Sequence, residues 1–193
     1  MYHKYFKGTD FTGAFGNKLR TNLHSRFSHT NATDNKLKVL FFGSDNYSIH
    51  VFNKLLKNRL LGLNATSNNG DQQSIGTLDV FTIDPGQGNV SDLENHIKKC
   101  NKKIGSDIIK CYNTNLHPMK SFDGIGKDGP YDIGILASFG KMIPNQMITR
   151  FSLGIVNFHP SLLPAYRGAA PMPHAIIDHR KETGVSAIKL LPE

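Results

Sequence analysis

The sequence predicts an α/β domain with a doubly wound, mostly parallel sheet, and three observations predict it. Apolar runs ending in glycine or polar residues recur at 39–42, 78–83, 133–138 and 154–158, as expected of strands buried on both faces. Segments with apolar residues three to four apart lie between several of them, as amphipathic helices would. A length of 193 residues suits one core with an extension but is short for two full domains.

The first run, Val39-Leu40-Phe41-Phe42, reads as a buried strand that turns at Gly43-Ser44-Asp45. Tyr47, Ile49, Val51, Phe52, Leu55, Leu56 and Leu60 then recur at helical spacing, with Lys54, Lys57 and Arg59 among them. Residues 64–76, rich in Asn, Ser and Gln, read as a loop, residues 78–83 as a second strand, and residues 90–103 as a helix with Leu93, Ile97 and Cys100 on one face. Ile108, Ile109 and Tyr112 suggest a short strand, whereas Gly124, Gly126, Gly129 and Pro130 imply irregular backbone. The runs at 133–138 and 154–158 read as central parallel strands flanking a short helix over 144–151, with Met147 and Ile148 inward. A second amphipathic piece spans 173–179 with Ala175, Ile176 and Ile177, and 184–190 begins a further strand. Right-handed crossovers between such strands place ligands beyond the carboxyl ends of the sheet.

Hydrophobic content of 38% fits a globular chain, and no apolar run approaches the roughly 20 residues of a membrane span. No membrane partner is expected, and the protein is read as a monomer. Cys100 and Cys111 are the only cysteines, without metal-ligand spacing, so neither a metal site nor a disulfide framework is suggested. A reducing compartment is the default for such a pair. Of the net charge of +8, residues 1–38 carry +5, from seven Lys/Arg against Asp10 and Asp34, leaving a mild +3 on the remainder. That basic, acid-poor tail, with Ser, Thr, Asn and aromatics and no apolar signal core, resembles a mitochondrial presequence and suggests the matrix as location. The other reading is a basic arm that stays in place.

Asn157 and His159 lie two apart at the end of a predicted strand, so their side chains project to the same side. An imidazole can exchange protons near neutrality, while the amide can donate to an oxygen that becomes negative. This pairing suits acyl transfer. Pro160 ends the ladder, and Ser161-Leu162-Leu163-Pro164 follows as a rigid turn able to wall a pocket. An Asn-x-His pair alone also fits a capped turn or a satisfied buried histidine. Gly43-Ser-Asp-Asn-Tyr-Ser48 lacks the GxGxxG pattern that a nicotinamide-binding domain would place after its first strand.

With its flanks, the stretch Asn157-Phe-His159-Pro-Ser-Leu-Leu-Pro164-Ala-Tyr-Arg167-Gly-Ala-Ala-Pro171 closely resembles the signature of the folate-dependent formyltransferases. The resemblance runs from Val39 to Glu193 and includes Phe139-Gly-Lys-Met-Ile-Pro144 and Glu182-Thr-Gly-Val185. It implies a Rossmann-like catalytic domain over 39–193, with 10-formyltetrahydrofolate as donor co-substrate and no metal. Arg167-Gly-Ala-Ala-Pro171 is most similar to the branch that formylates the amino group of initiator methionyl-tRNA. Other folate-dependent formyltransferases or hydrolases, and a non-catalytic folate-binding fragment, remain as alternatives.

Carried over from the family, Asn157 would stabilise the developing oxyanion and His159 would manage protons. Ser161, Leu162, Leu163 and Pro164 would contact the folate, with Phe139, Gly140, Ile143 and Pro144 lining the pocket on its pterin side. Arg167 and Gly168 would meet the acceptor, although Arg167 is equally suited to holding its own loop. The family's catalytic Asp, downstream of Glu182-Thr-Gly-Val185, and its C-terminal β-barrel domain fall beyond Glu193, so the catalytic domain is expected to be truncated at its C-terminal end. Asp178 reads instead as a solvated or helix-associated acid. The family's basic tRNA-gripping insertion corresponds to residues 64–76, which contain no Lys or Arg.

Overall fold

A computed structural model describes residues 5–6, 36–64, 75–83, 85–86, 90–105, 109–114 and 131–192. Its strands are β1 (Tyr5–Phe6), β2 (Leu37–Phe42), β3 (Ile75–Thr82), β4 (Cys111–Asn113), β5 (Ile133–Leu136), β6 (Ile155–His159) and β7 (Ser186–Leu190). The helices are α1 (Asn46–Asn64), α2 (Asp92–Ile104), α3 (Asn145–Ile148) and α4 (Pro171–Ile177). All seven strands form one sheet in the order β1-β7-β6-β5-β2-β3-β4. From β6 to β4 every pair is parallel, while β7 is antiparallel to both β6 and β1. The result is the Rossmann-like, mostly parallel sheet expected of the sequence.

Because side chains alternate across the central strands, the apolar runs feed two cores. Val39, Phe41, Leu78, Val80, Ile133, Ile135 and Val156 pack on one face against Phe52 and Leu56 of α1 and Leu93 and Ile97 of α2. Leu40, Phe42, Phe81 and Ile155 form the other core with Tyr131, Phe139, Met147, Ile148 and Phe151. Phe42 sits at its centre, with the Phe139 ring edge-on at 5.5 Å and the Phe151 ring edge-on at 6.0 Å. Capping chemistry marks the start of α1 and both ends of α2. Asp45 accepts from the Ser48 amide at 3.0 Å where α1 starts, and Ser91 accepts from the Glu94 amide at 3.1 Å where α2 starts. Gly105, at φ 78°, closes α2 in the left-handed conformation.

Several elements differ from the sequence expectation. The helix predicted over 144–151 is a single turn, because the backbone leaves it at Thr149 for the turn into β6. In α4 only Pro171 and Ala175, four apart, face inward, leaving Ile176 and Ile177 at 74% and 68% exposure. Arg59, a cation among the apolar positions of α1, is buried near Asp79. Ile108, the glycine-rich stretch 115–130, most of the polar segment 64–76 and most of the basic tail lie outside the described residues. No described helix is long and apolar enough to cross a membrane.

Candidate active site

β6 carries the two residues singled out by their spacing. Ile155, Asn157 and His159 alternate onto one face of the strand: Ile155 enters the aromatic core, while Asn157 and His159, both half-buried, continue the same row toward the carboxyl end. Asn157 is paired with Leu136 on β5 and with Ile188 on β7, and His159 with Ser186. Ladders on both sides therefore fix the amide and the β7 ladder fixes the imidazole, and a strand of a packed sheet holds side chains more precisely than a loop does.

The chain then turns back over this row. Ser161 is buried; its amide donates to the His159 carbonyl at 2.8 Å and its hydroxyl to the Ala165 carbonyl at 2.8 Å. From β7, Ser186 Oγ donates to the Ser161 carbonyl at 2.8 Å and accepts from the Leu163 amide at 3.1 Å. The Leu163–Pro164 peptide is cis. Beyond it, Tyr166 adopts φ 54° and its carbonyl lies 2.9 Å from His159 Nε2.

A pocket of about 580 Å³ opens beside this row, within the range of cofactor and substrate clefts. Leu136, Ile148, Ile188 and Leu190 supply apolar surface, and Asn157 and His159 are polar groups exposed to it. Residues 141–145 form one wall, with Leu163, Arg167 and Gly168 also lining the space. Lys141 and Arg167 are both exposed and bring two positive charges to the rim.

The pocket thus brings together Asn157, His159, Ile143, Pro144, Leu163, Arg167 and Gly168. The remaining residues singled out from sequence sit elsewhere. Phe139 is 1% exposed within the aromatic core, and Gly140 makes the exposed turn after it at φ 76°. Ser161 is buried beneath the turn, while Leu162 and Pro164 are on its outside. Ile188 and Leu190 join the lining without any signal in the sequence that singles them out. The pairing of Ile188 with Asn157 depends on β7 running antiparallel, and nothing local in the sequence encodes strand direction.

Among the described residues no group of three His, Cys, Asp or Glu could hold a metal. Cys111 lies on β4, at the sheet edge opposite β6 and β7. Burial raises the Cys100 thiol above its ordinary value, which does not favour the thiolate. A family model described as formyl transferase matches residues 89–191, just over half of the chain. The chain belongs to the formyl transferase family. The match runs from just before α2 through β7 and includes every residue lining the pocket.

The mitochondrial methionyl-tRNA formyltransferase of Rattus norvegicus is 30% identical to this chain over 156 residues, covering 81% of the chain and 34% of the relative. The corresponding human enzyme is 28% identical with the same coverage. The chain thus spans about a third of the length of the curated relatives it matches. Among solved structures, glycinamide ribonucleotide transformylase 1 from Symbiobacterium toebii superposes with a TM-score of 0.52 at 17% identity, over 86% of this chain and 72% of that one. At that identity the likeness is one of fold, and it agrees with the Rossmann-like sheet.

Proposed function

We propose that the formyl transferase moves a formyl group from 10-formyltetrahydrofolate to the amino group of initiator methionyl-tRNA in the mitochondrial matrix. Residues 39–193 are its catalytic domain and residues 1–38 its targeting tail. The observation that carries the chemistry is the placement of Asn157 and His159 side by side at the carboxyl end of β6, facing a pocket with an apolar lining. The choice of acceptor is supported by Arg167-Gly168-Ala169-Ala170-Pro171 and by the names of the relatives. The location is supported by the acid-poor tail and by the mitochondrial members among those relatives.

The pocket residues suit a folate. A flat heterocycle can lie against Leu136, Ile143, Pro144, Leu163 and Ile188, with Asn157 and His159 beside its formyl-bearing end. The folate supplies a formyl group on nitrogen, activated for transfer to an amine. As the amine attacks the formyl carbon, the Asn157 amide donates to the oxygen that gains negative charge and His159 accepts a proton from the nitrogen that becomes positive. Collapse then breaks the bond from the formyl carbon to the folate nitrogen, which leaves as tetrahydrofolate carrying the proton that the imidazolium returns. Transfer is direct, without a formyl group on the protein. Lys141 and Arg167 favour a polyanionic acceptor at the rim.

The test offers the protein 10-formyltetrahydrofolate with methionyl-tRNA, glycinamide ribonucleotide or water as acceptor. Formyl-methionyl-tRNA is the expected product, with kcat lowered about 10²- to 10³-fold in Asn157→Ala and about 10²- to 10⁴-fold in His159→Ala. Formylation of the ribonucleotide alone, or release of formate alone, would assign the site to another branch of the family.

A further inference from the structure

The geometry points to Tyr166, Asp178 and Arg180 as a clamp that sets the protonation pattern of His159, with Tyr166 as the positioning residue. A carbonyl oxygen can only accept, so the 2.9 Å contact between His159 Nε2 and the Tyr166 carbonyl requires the proton on Nε2. The neutral ring is then the Nε2–H tautomer, and Nδ1 keeps the lone pair that can take up a proton. What holds the carbonyl there is the rest of Tyr166. Its backbone lies at φ 54°, in the left-handed region that a residue with a Cβ seldom adopts without support.

The support comes from the far end of the side chain. The phenol donates to Asp178 Oδ2 at 2.8 Å and accepts from Arg180 Nε at 2.8 Å, so both hydrogen-bonding roles of the hydroxyl are used. Asp178 and Arg180 follow directly from α4 and are fixed by backbone bonds: Asp178 N to the His174 carbonyl at 2.9 Å and Arg180 N to the Ala175 carbonyl at 2.9 Å. The catalytic loop is thereby tied at one point to a helix end twelve residues downstream. Asp178 acts on the histidine through Tyr166 and touches neither His159 nor the pocket. This role rests on the formyl-transfer reading only for its kinetic consequence.

The test is Tyr166→Phe, which keeps the ring and removes the hydroxyl, read by the ¹⁵N shifts of His159 in the histidine-labelled protein. Its signals are assigned by their loss in His159→Gln. In the wild type the neutral ring should appear as the Nε2–H tautomer. In Tyr166→Phe and Asp178→Ala it should become a mixture with the Nδ1–H form, and Asp178→Asn, which keeps an acceptor oxygen, should restore most of the wild-type pattern. With methionyl-tRNA as acceptor, kcat should fall by about tenfold in Tyr166→Phe with little change in the KM for folate. An unchanged tautomer in both disruptive variants overturns the clamp. A tautomer that responds in a protein that formylates no acceptor supports the clamp and removes the functional reading, so the two fail separately. If Tyr166→Phe does not fold, Asp178→Ala and Arg180→Gln carry the same measurement from the other side of the contact.

Discussion

Ser186→Ala removes a single buried oxygen and leaves two backbone groups of the turn after β6 without their partner. Ser186 is 3% exposed, and its hydroxyl both donates to the Ser161 carbonyl and accepts from the Leu163 amide. Each buried polar group left unsatisfied costs about 1–3 kcal/mol. Water can recover part of that once the turn relaxes, because Leu162 and Pro164 between and beside the two groups are exposed. The expected net loss is therefore about 2–4 kcal/mol, the lower part of the simple sum. The chain has no tryptophan, so urea unfolding is best followed by far-ultraviolet circular dichroism. With a slope of about 2 kcal/mol per molar urea, the midpoint should fall by about 1–2 M. Thr149→Ala is the control: it also deletes a side-chain bond to a carbonyl, that of Gln146 at 3.1 Å, but in an exposed setting, and should cost less than about 0.5 kcal/mol. If the two variants lose the same stability, burial of the Ser186 bridge is not what holds the turn.

Two further outcomes are expected away from the turn. In β5 a Cβ on Gly134 would lie 2.8 Å from Ile155 Cγ1 and 3.2 Å from Cγ2, and Ile155 is fully buried. Gly134→Ala should therefore cost about 1–3 kcal/mol, and part of that cost should disappear in an Ile155→Ala background; strictly additive losses in the double-mutant cycle would argue against the contact. His96 bonds Asn53 Oδ1 at 2.8 Å, and burial, followed by the charge of Lys99, lowers its pKa from 6.5. The folded state then binds fewer protons than the unfolded one, so the His96 contribution to stability is present above the unfolded pKa and is lost as pH falls through the folded value. His96→Gln should flatten the decline in unfolding free energy between about pH 7 and pH 5, and an unchanged slope would show that another group sets it.

What could be read in the sequence was governed by short-range physics. Apolar runs mark the central strands β2, β3, β5 and β6, because a strand buried on both faces needs no partner to reveal itself. The two-residue spacing of Asn157 and His159 placed both on one face for the same local reason. Ser186 and Tyr166 were missed because their roles depend on pairs 25 and 12 residues apart, Ser186 with Ser161 and Tyr166 with Asp178. Each is an ordinary polar residue until the fold supplies its partner. Asp178, which reads as a solvated or helix-associated acid, is exposed at the end of α4, and its carboxylate also takes the Tyr166 hydroxyl. Ile176 and Ile177 misled in the opposite direction, since a two-turn helix offers too few positions for periodicity to distinguish its inner face.

Phe139 shows how a residue within a recognisable motif can shape a pocket without touching its contents. Its ring packs edge-on against Phe42 at 5.5 Å and Phe81 at 6.0 Å, under the segment that continues through Lys141, Met142, Ile143 and Pro144 into the wall. Gly140 then turns the backbone at φ 76°, a conformation glycine adopts without the penalty of a Cβ. The ring therefore acts as an anchor and the glycine as a hinge point that directs residues 141–144 along the pocket. Opposite them, β6 and β7 fix Asn157, His159 and Ile188 by ladder bonds. A folate held between these surfaces would meet one wall set by aromatic packing and another set by strand register, so its formyl group would be placed against side chains that ligand binding has little need to reorganise.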